Sequence, residues 1–266
     1  MIGRDTTFPR HYFIYNGKNS ADYGVFISGN ALYDTPTREI EVISVPGRNG
    51  DIIFDNRRFT NVEITYPCYI PRGFDEKFND FKAAILSDTK YHRLEDTYSP
   101  EHFREGFITG PIQVTTGPFN RSGQFDITFN CKPQRFLKLG ERALTITTSG
   151  SSLHNRTDFP SKPLIQVIGE SGGDGMIEFV KRNPQSTEDY YTVNFENNPT
   201  GIFYLDSESG IAYYENTSGG VITKIPINDR VQAQPTGFPQ IAPGYNTITF
   251  YGDVTRLQIQ PRWWTI

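Results

Sequence analysis

The chain has 266 residues, comfortable for two domains, and aromatics reach 14% although the hydrophobic fraction is only 36%; a chain this rich in aromatics is not disordered. Its 24 Gly and 18 Pro leave little room for long helices and suit short strands joined by turns. Setting Gly aside, no apolar run exceeds four residues, which excludes a membrane-spanning helix, and 26 Lys+Arg against 30 Asp+Glu give a net charge of −4 with no basic tract, unlike a protein that grips nucleic acid by its phosphates.

Along the chain, the first thirty residues carry Arg4, Asp5, Arg10 and Asp22 and no apolar core, so no signal peptide is expected. Asn16-Gly17, after 12–15, and Asn49-Gly50, between 38–45 and 51–54, accept positive φ and are expected to close tight hairpins. Over 59–70, Val62, Ile64, Tyr66, Cys68 and Ile70 alternate with Asn61, Glu63, Thr65, Pro67 and Tyr69, the period of a half-buried strand. Pro67 places that strand at an edge or a bulge. Over 74–87, Phe74, Phe78, Phe81 and Ile85 recur at steps of four, three and four among Asp75, Glu76, Lys77, Asp80 and Lys82, which predicts an amphipathic helix whose Phe stripe packs on a sheet. Asp75 and Glu76 suit the positive end of its dipole. Phe125, Ile127, Phe129 and Cys131 alternate with Gln124, Asp126, Thr128 and Asn130 in a second clear strand.

The pattern ends at 132–139 and a short polar stretch follows at 145–152, so the expected organisation is an N-terminal domain over 1–140, a linker over 141–160 and a second domain over 161–266. The second half shows no helical period. Strand candidates at 162–168, 176–180, 190–195, 201–205, 211–214, 221–227, 246–251 and 254–260 are punctuated by turns, the mark of a sandwich or jelly roll. The expected fold class is mostly β: an N-terminal β-sandwich-like domain with one amphipathic helix, then a C-terminal β-sandwich.

Chemistry is harder to find. Gly169-Glu170-Ser171-Gly172-Gly173-Asp174-Gly175 fits neither nucleotide-binding glycine spacing and precedes a strand, so it is expected to be a hairpin loop. The four His never pair at i, i+4, no Ser occupies a Gly-x-Ser-x-Gly elbow, and Cys68 and Cys131 have no partner at ligand spacing. Asp206 with Glu208, or Glu39 with Glu41, show only the spacing of any solvent-facing strand. Tyr190-Tyr191, Tyr213-Tyr214 and Trp263-Trp264 suit core or interface packing, with a saccharide platform as the alternative. Asn120, Asn155 and Asn216 head N-x-Ser/Thr sequons that mean little without secretion. No catalytic residue, no cofactor-binding residue and no metal ligand is nominated, and no enzyme activity is expected.

Tyr23-Gly24-Val25, then Arg38-Glu39-Ile40-Glu41-Val42 leading to Val45-Pro46-Gly47-Arg48-Asn49-Gly50-Asp51, the strand at 62–69, the Phe-rich helix and Phe129-Asn130-Cys131-Lys132-Pro133 followed by Leu137 resemble the N-terminal domain of siphophage distal tail proteins. Lys162-Pro163-Leu164-Ile165, Leu205-Asp206-Ser207-Glu208-Ser209-Gly210, Gly237-Phe238-Pro239, Pro243-Gly244-Tyr245-Asn246-Thr247-Ile248 and Pro261-Arg262-Trp263-Trp264 continue the resemblance in the family's order. The resemblance implies a structural component of a long non-contractile tail, from a phage or prophage of a Gram-positive host, in a short form without an inserted carbohydrate-binding module. It implies a homohexameric ring formed by the N-terminal domains, with galectin-like C-terminal β-sandwiches projecting outward. Expected partners are the chain itself, the tail tube protein, the tail-associated lysin or tail-fibre hub, and the receptor-binding protein. Neither stable nucleic-acid binding nor membrane insertion is expected, and the expected location is the virion tail tip, with the host cytoplasm during assembly. The hairpin formed by Pro46, Gly47, Arg48, Asn49, Gly50 and Asp51 has a polar tip on strands with apolar flanks, and it is expected to reach the adjacent subunit or the lumen. In the family reading Trp263 is core of the outer sandwich and Trp264 a surface contact; a stand-alone module binding cell-wall polysaccharide is the alternative.

Overall fold

The computed structural model describes residues 10–29, 33–182, 190–234 and 237–266; the stretch before Arg10, on which the expected lack of a signal peptide partly rests, lies outside them. The chain divides into two compact units, Met1–Arg135 with Ile266 and Phe136–Thr265. No described helix is long and apolar enough to cross a membrane.

The N-terminal unit is built on an antiparallel sheet whose path runs Lys18–Asn19, Phe13–Tyr15, His92–Asp96, His102–Ile108, Gly123–Cys131, Val62–Ile70 and Phe26–Ile27. Its two longest strands pair in unbroken register from Val62↔Cys131 to Ile70↔Gly123. The alternation in both is therefore one surface: Val62, Ile64, Tyr66, Cys68 and Ile70 are buried alongside Phe125, Ile127, Phe129 and Cys131. The helix, Phe74–Ile85, buries Phe74, Phe81 and Ile85 in the same core. Phe78 and Phe81 meet Phe125 at ring separations of 5.0 and 6.0 Å, contacts favoured beyond the area they bury.

Pro67 does not sit on an edge strand, because Val62–Ile70 lies between Gly123–Cys131 and the short Phe26–Ile27. That neighbour pairs only with Tyr69 and Cys68, and past its end Ser28 donates its N–H to the Pro67 carbonyl at 2.7 Å. The missing proline N–H thus falls where no ladder bond is required. Asn16 and Gly17 close a two-residue turn with φ of 50° and 72° between Tyr15 and Lys18. Asn49-Gly50 does not: its strands separate after Ile43↔Ile52, leaving a loop over 44–51 in which Gly47 and Gly50 take positive φ.

The C-terminal unit is a β-sandwich. One sheet runs Leu144–Ile146, Val254–Gln260, Leu164–Gly169, Ile202–Asp206, Ile211–Ser218 and Val221–Pro226; the other runs Ser151–Asn155, Gly244–Gly252, Gly175–Lys181, Tyr190–Phe195 and Val231–Gln234. Ile165, Val167, Phe203, Leu205, Leu257 and Ile259 of the first face Ile177, Phe179, Val193, Phe195, Ile248 and Phe250 of the second across a single core. The segment 141–160 is not a linker. It supplies an outer strand to each sheet, pairing with Val254–Gln260 and Gly244–Gly252, and sends Ile146 and Leu153 into the core. Strands with so few inward apolar side chains have too little alternation to stand out from a polar stretch. The glycine-rich loop is likewise not a hairpin, because Leu164–Gly169 and Gly175–Lys181 belong to different sheets. It turns the corner between them, held by Glu170 N–H on the Asp253 carbonyl and Gly172 N–H on the Asn198 carbonyl.

Candidate interaction surface

Among the described residues, Arg38–Ile43 and Ile52–Phe59 pair only with each other, forming a two-stranded ribbon apart from the main sheet. Residues directly opposite in an antiparallel pair share a face. Ile40↔Asp55 and Val42↔Ile53 therefore place Ile40, Val42 and Ile53 on one side, while Glu41↔Phe54 and Ile43↔Ile52 place Ile43, Ile52 and Phe54 on the other. All six are 41–66% exposed. Isolated two-stranded ribbons are marginal in water, and a contiguous apolar surface of this kind on a soluble unit marks an interaction site.

The base of the ribbon is polar and tied. Arg38 forks onto the Asp55 carboxylate, Arg58 Nε bonds Glu39 Oε2 at 2.6 Å, and Asn56 Nδ2 reaches Glu39 Oε1 at 3.2 Å. Arg38 and the Arg57 N–H hold the Asp55 carboxyl below its ordinary pKa. The register slips between Arg38 and Ile40, and Arg57 takes a left-handed φ of 56° there, so the ribbon bends at a bulge. The Thr60 N–H to the Thr37 carbonyl, 2.9 Å, closes the root. The order from root to tip is charged base, apolar shaft, polar loop.

Pro46, Gly47, Arg48, Asn49, Gly50 and Asp51 all lie exposed in that loop, with Arg48 N–H on the Val45 carbonyl at 3.2 Å. The apolar shaft beneath the loop was not nominated from the sequence. Its signal is the run Ile52-Ile53-Phe54, which alternates with nothing and so puts apolar side chains on both faces.

The other nominated residues have ordinary structural places. Trp263 is in the core of the C-terminal unit. Trp264 is half-buried, its indole N–H donating to the Pro160 carbonyl at 2.9 Å and its ring stacked 4.3 Å from Phe159. Tyr213 is buried and Tyr191 and Tyr214 pack against the same core, whereas Tyr190 is exposed. Asp206 pairs with Arg262 at 2.6 Å, Glu208 with Lys162 at 3.5 Å, and Glu39 with Arg58. Asn155 of the second sequon is buried, its amide donating to the Phe159 and Ile241 carbonyls. Cys68 and Cys131 are buried and reduced, and burial pushes both thiols up, that of Cys131 to about 12, so neither is a nucleophile at neutral pH. Among the described residues no three His, Cys, Asp or Glu side chains cluster as metal ligands.

No protein-family model and no curated protein matches the sequence. Solved structures do match. The Dit protein of phage SPP1, described as a paradigm of the hub adsorption apparatus in phages infecting Gram-positive hosts, superposes with a TM-score of 0.68 at 12% identity, over 94% of this chain and 98% of that one. Two structures of the phage P2 baseplate in its activated conformation, with Ca and with Sr, each contain a chain that matches at TM-scores of 0.56 and 0.53 and identities of 11% and 10%, over 95% and 94% of this chain and 98% of theirs. The chain has the fold of these phage hub and baseplate proteins.

Proposed function

We propose that this chain is a distal tail protein: a structural virion component that closes into a ring of six at the tip of a long non-contractile phage tail. The ring joins the tail tube above to the tail-associated lysin and receptor-binding parts below, and assembles in the host cytoplasm. The observation that carries this reading is the fold shared with the SPP1 hub protein over 94% of the chain.

The ribbon supplies a physical route to a ring. A closed ring needs a heterologous interface, one patch meeting a different patch on the next copy. A ribbon with three exposed apolar side chains on each face is poorly matched to water and well matched to a groove on a neighbour. Burying an aliphatic or aromatic side chain from full exposure contributes about 1.5–3 kcal/mol, and these six are already partly covered, so each contributes less than that. The proposed contact is the apolar shaft, with the 46–51 loop reaching past it to the neighbour or the lumen.

Negative-stain microscopy and light scattering of the concentrated protein test this reading. Six-fold rings with an open centre are expected. Ile53→Asp combined with Phe54→Ser, one change on each face, is expected to give folded monomers that still unfold cooperatively, with a midpoint that no longer depends on protein concentration. Rings that persist in this variant refute the shaft as the interface, and Arg48→Asp with Asn49→Pro asks the same of the loop. Wild-type protein that stays as isolated monomers at high concentration counts against self-assembly by this chain alone.

A further inference from the structure

We infer that the N-terminal unit binds a small inorganic anion of halide size beside Arg104, with Ser99, His102 and Arg135 completing the site. The strands His92–Asp96 and His102–Ile108 form a hairpin, and around its turn these residues line a cavity of about 20 Å³. That is room for a single species the size of a water molecule or a halide.

The polar lining is unbalanced toward donors. Asp96 is the one carboxylate in it, and both of its oxygens are engaged: Oδ2 accepts the Tyr66 hydroxyl at 2.7 Å, and Oδ1 accepts the N–H groups of Tyr98 and Ser99, each at 2.9 Å. Arg104 Nη1 is buried and has no acceptor. Ser99 Oγ already accepts from Arg135 Nη2 at 2.9 Å, which leaves its own hydrogen to give. Burial and the two neighbouring guanidiniums keep His102 toward the neutral form, in which one ring nitrogen still carries a hydrogen.

Within the lining two guanidiniums face one carboxylate, while Glu101 acts on His102 from outside it. Burial also presses on Arg104, lowering its pKa from the ordinary value, which is the mark of a cation short of a counter-charge. A water molecule offers two hydrogens that the free groups here have little use for. A halide offers acceptor capacity alone, matching Arg104 Nη1, the Ser99 hydroxyl and the His102 ring N–H together.

The test is thermal unfolding of the full chain at fixed ionic strength while sodium gluconate is replaced by sodium chloride or bromide. The unfolding midpoint is expected to rise with the logarithm of halide concentration once the site is mostly filled, by about 2–4 °C at ten times the half-saturating concentration. Arg104→Met is expected to flatten the response. Ser99→Ala, which keeps the backbone N–H on Asp96, is expected to raise the half-saturating concentration at least threefold, and it serves if the Arg104 variant does not fold. Bromide-soaked crystals are expected to show an anomalous peak within hydrogen-bond distance of Arg104 Nη1. Equal midpoints in gluconate and halide overturn the inference, as does an identical halide response in wild type and variants, or a water or another chain's carboxylate at Nη1.

Discussion

Arg262, two residues past the strand Val254–Gln260, reaches across to Asp206, Nη1 to Oδ1 at 2.6 Å, while the same oxygen accepts the Glu208 N–H at 3.1 Å. Burial works against the charged Asp206 carboxyl, but the Arg262 bond and the backbone N–H outweigh it, so its pKa lies below the ordinary value. A carboxyl whose pKa falls on folding adds stability that is complete above its unfolded value of roughly 3.9 and is lost as pH drops through the folded value. Arg262→Met is therefore expected to cost about 1 kcal/mol at pH 7, the scale of a partly buried charge-assisted bond. The cost is expected to shrink as the solution is taken below about pH 4. Urea unfolding of both proteins at pH 7 and pH 3 checks this; an equal loss at the two pH values would assign the role of Arg262 to packing.

At the scale of elements, the helix and the strand beneath it are joined at a point only glycine can occupy. Gly123 begins the strand Gly123–Cys131 opposite Ile70, and a Cβ there would come within 2.3 Å of the Phe74 ring. Phe74 cannot easily give way, because it is buried and stacked on Phe78 at 5.0 Å. Gly123→Ala is expected to cost about 1–3 kcal/mol by overpacking, seen as a lower urea midpoint with an unchanged slope. No change in midpoint would show that the helix start can shift to make room. The helix itself was legible at 74–87 because four apolar side chains keep a 3.6-residue rhythm, and its observed span is Phe74–Ile85. The strands at 62–70 and 123–131 were legible because each has one wet and one dry side. Leu144–Ile146 and Val231–Gln234 were not, since they are outer strands too short to show alternation. The ribbon was half-legible. Its two strands and polar loop stood out, but the exposure of Val42, Ile53 and Phe54 follows from there being no third strand beside them among the described residues, which no local pattern records.

For the whole molecule, charge bears on what the proposed ring would do to a passing genome. A net charge of −4 per chain would give the proposed ring of six about −24. Several of the cations are also paired with carboxylates: Arg38 with Asp55, Arg58 with Glu39, Lys132 with Glu105 and Lys162 with Glu208. Duplex DNA is gripped by displacing its counterions, and affinity grows with each lysine or arginine that reaches a phosphate. In the exposed loop at 46–51, Arg48 is balanced by Asp51, so even a loop that faces the lumen adds no net attraction. A gel-shift assay with duplex DNA at about 0.15 M salt is expected to show no complex at micromolar protein, where surface charges more than about 8 Å apart are already screened. Lowering the salt is expected to reveal at most weak binding with a shallow salt slope, since few phosphates are neutralised. A steep slope with tight binding would mean that the surface presents an organised row of unpaired cations, and a protein with such a row would hold DNA rather than let it pass.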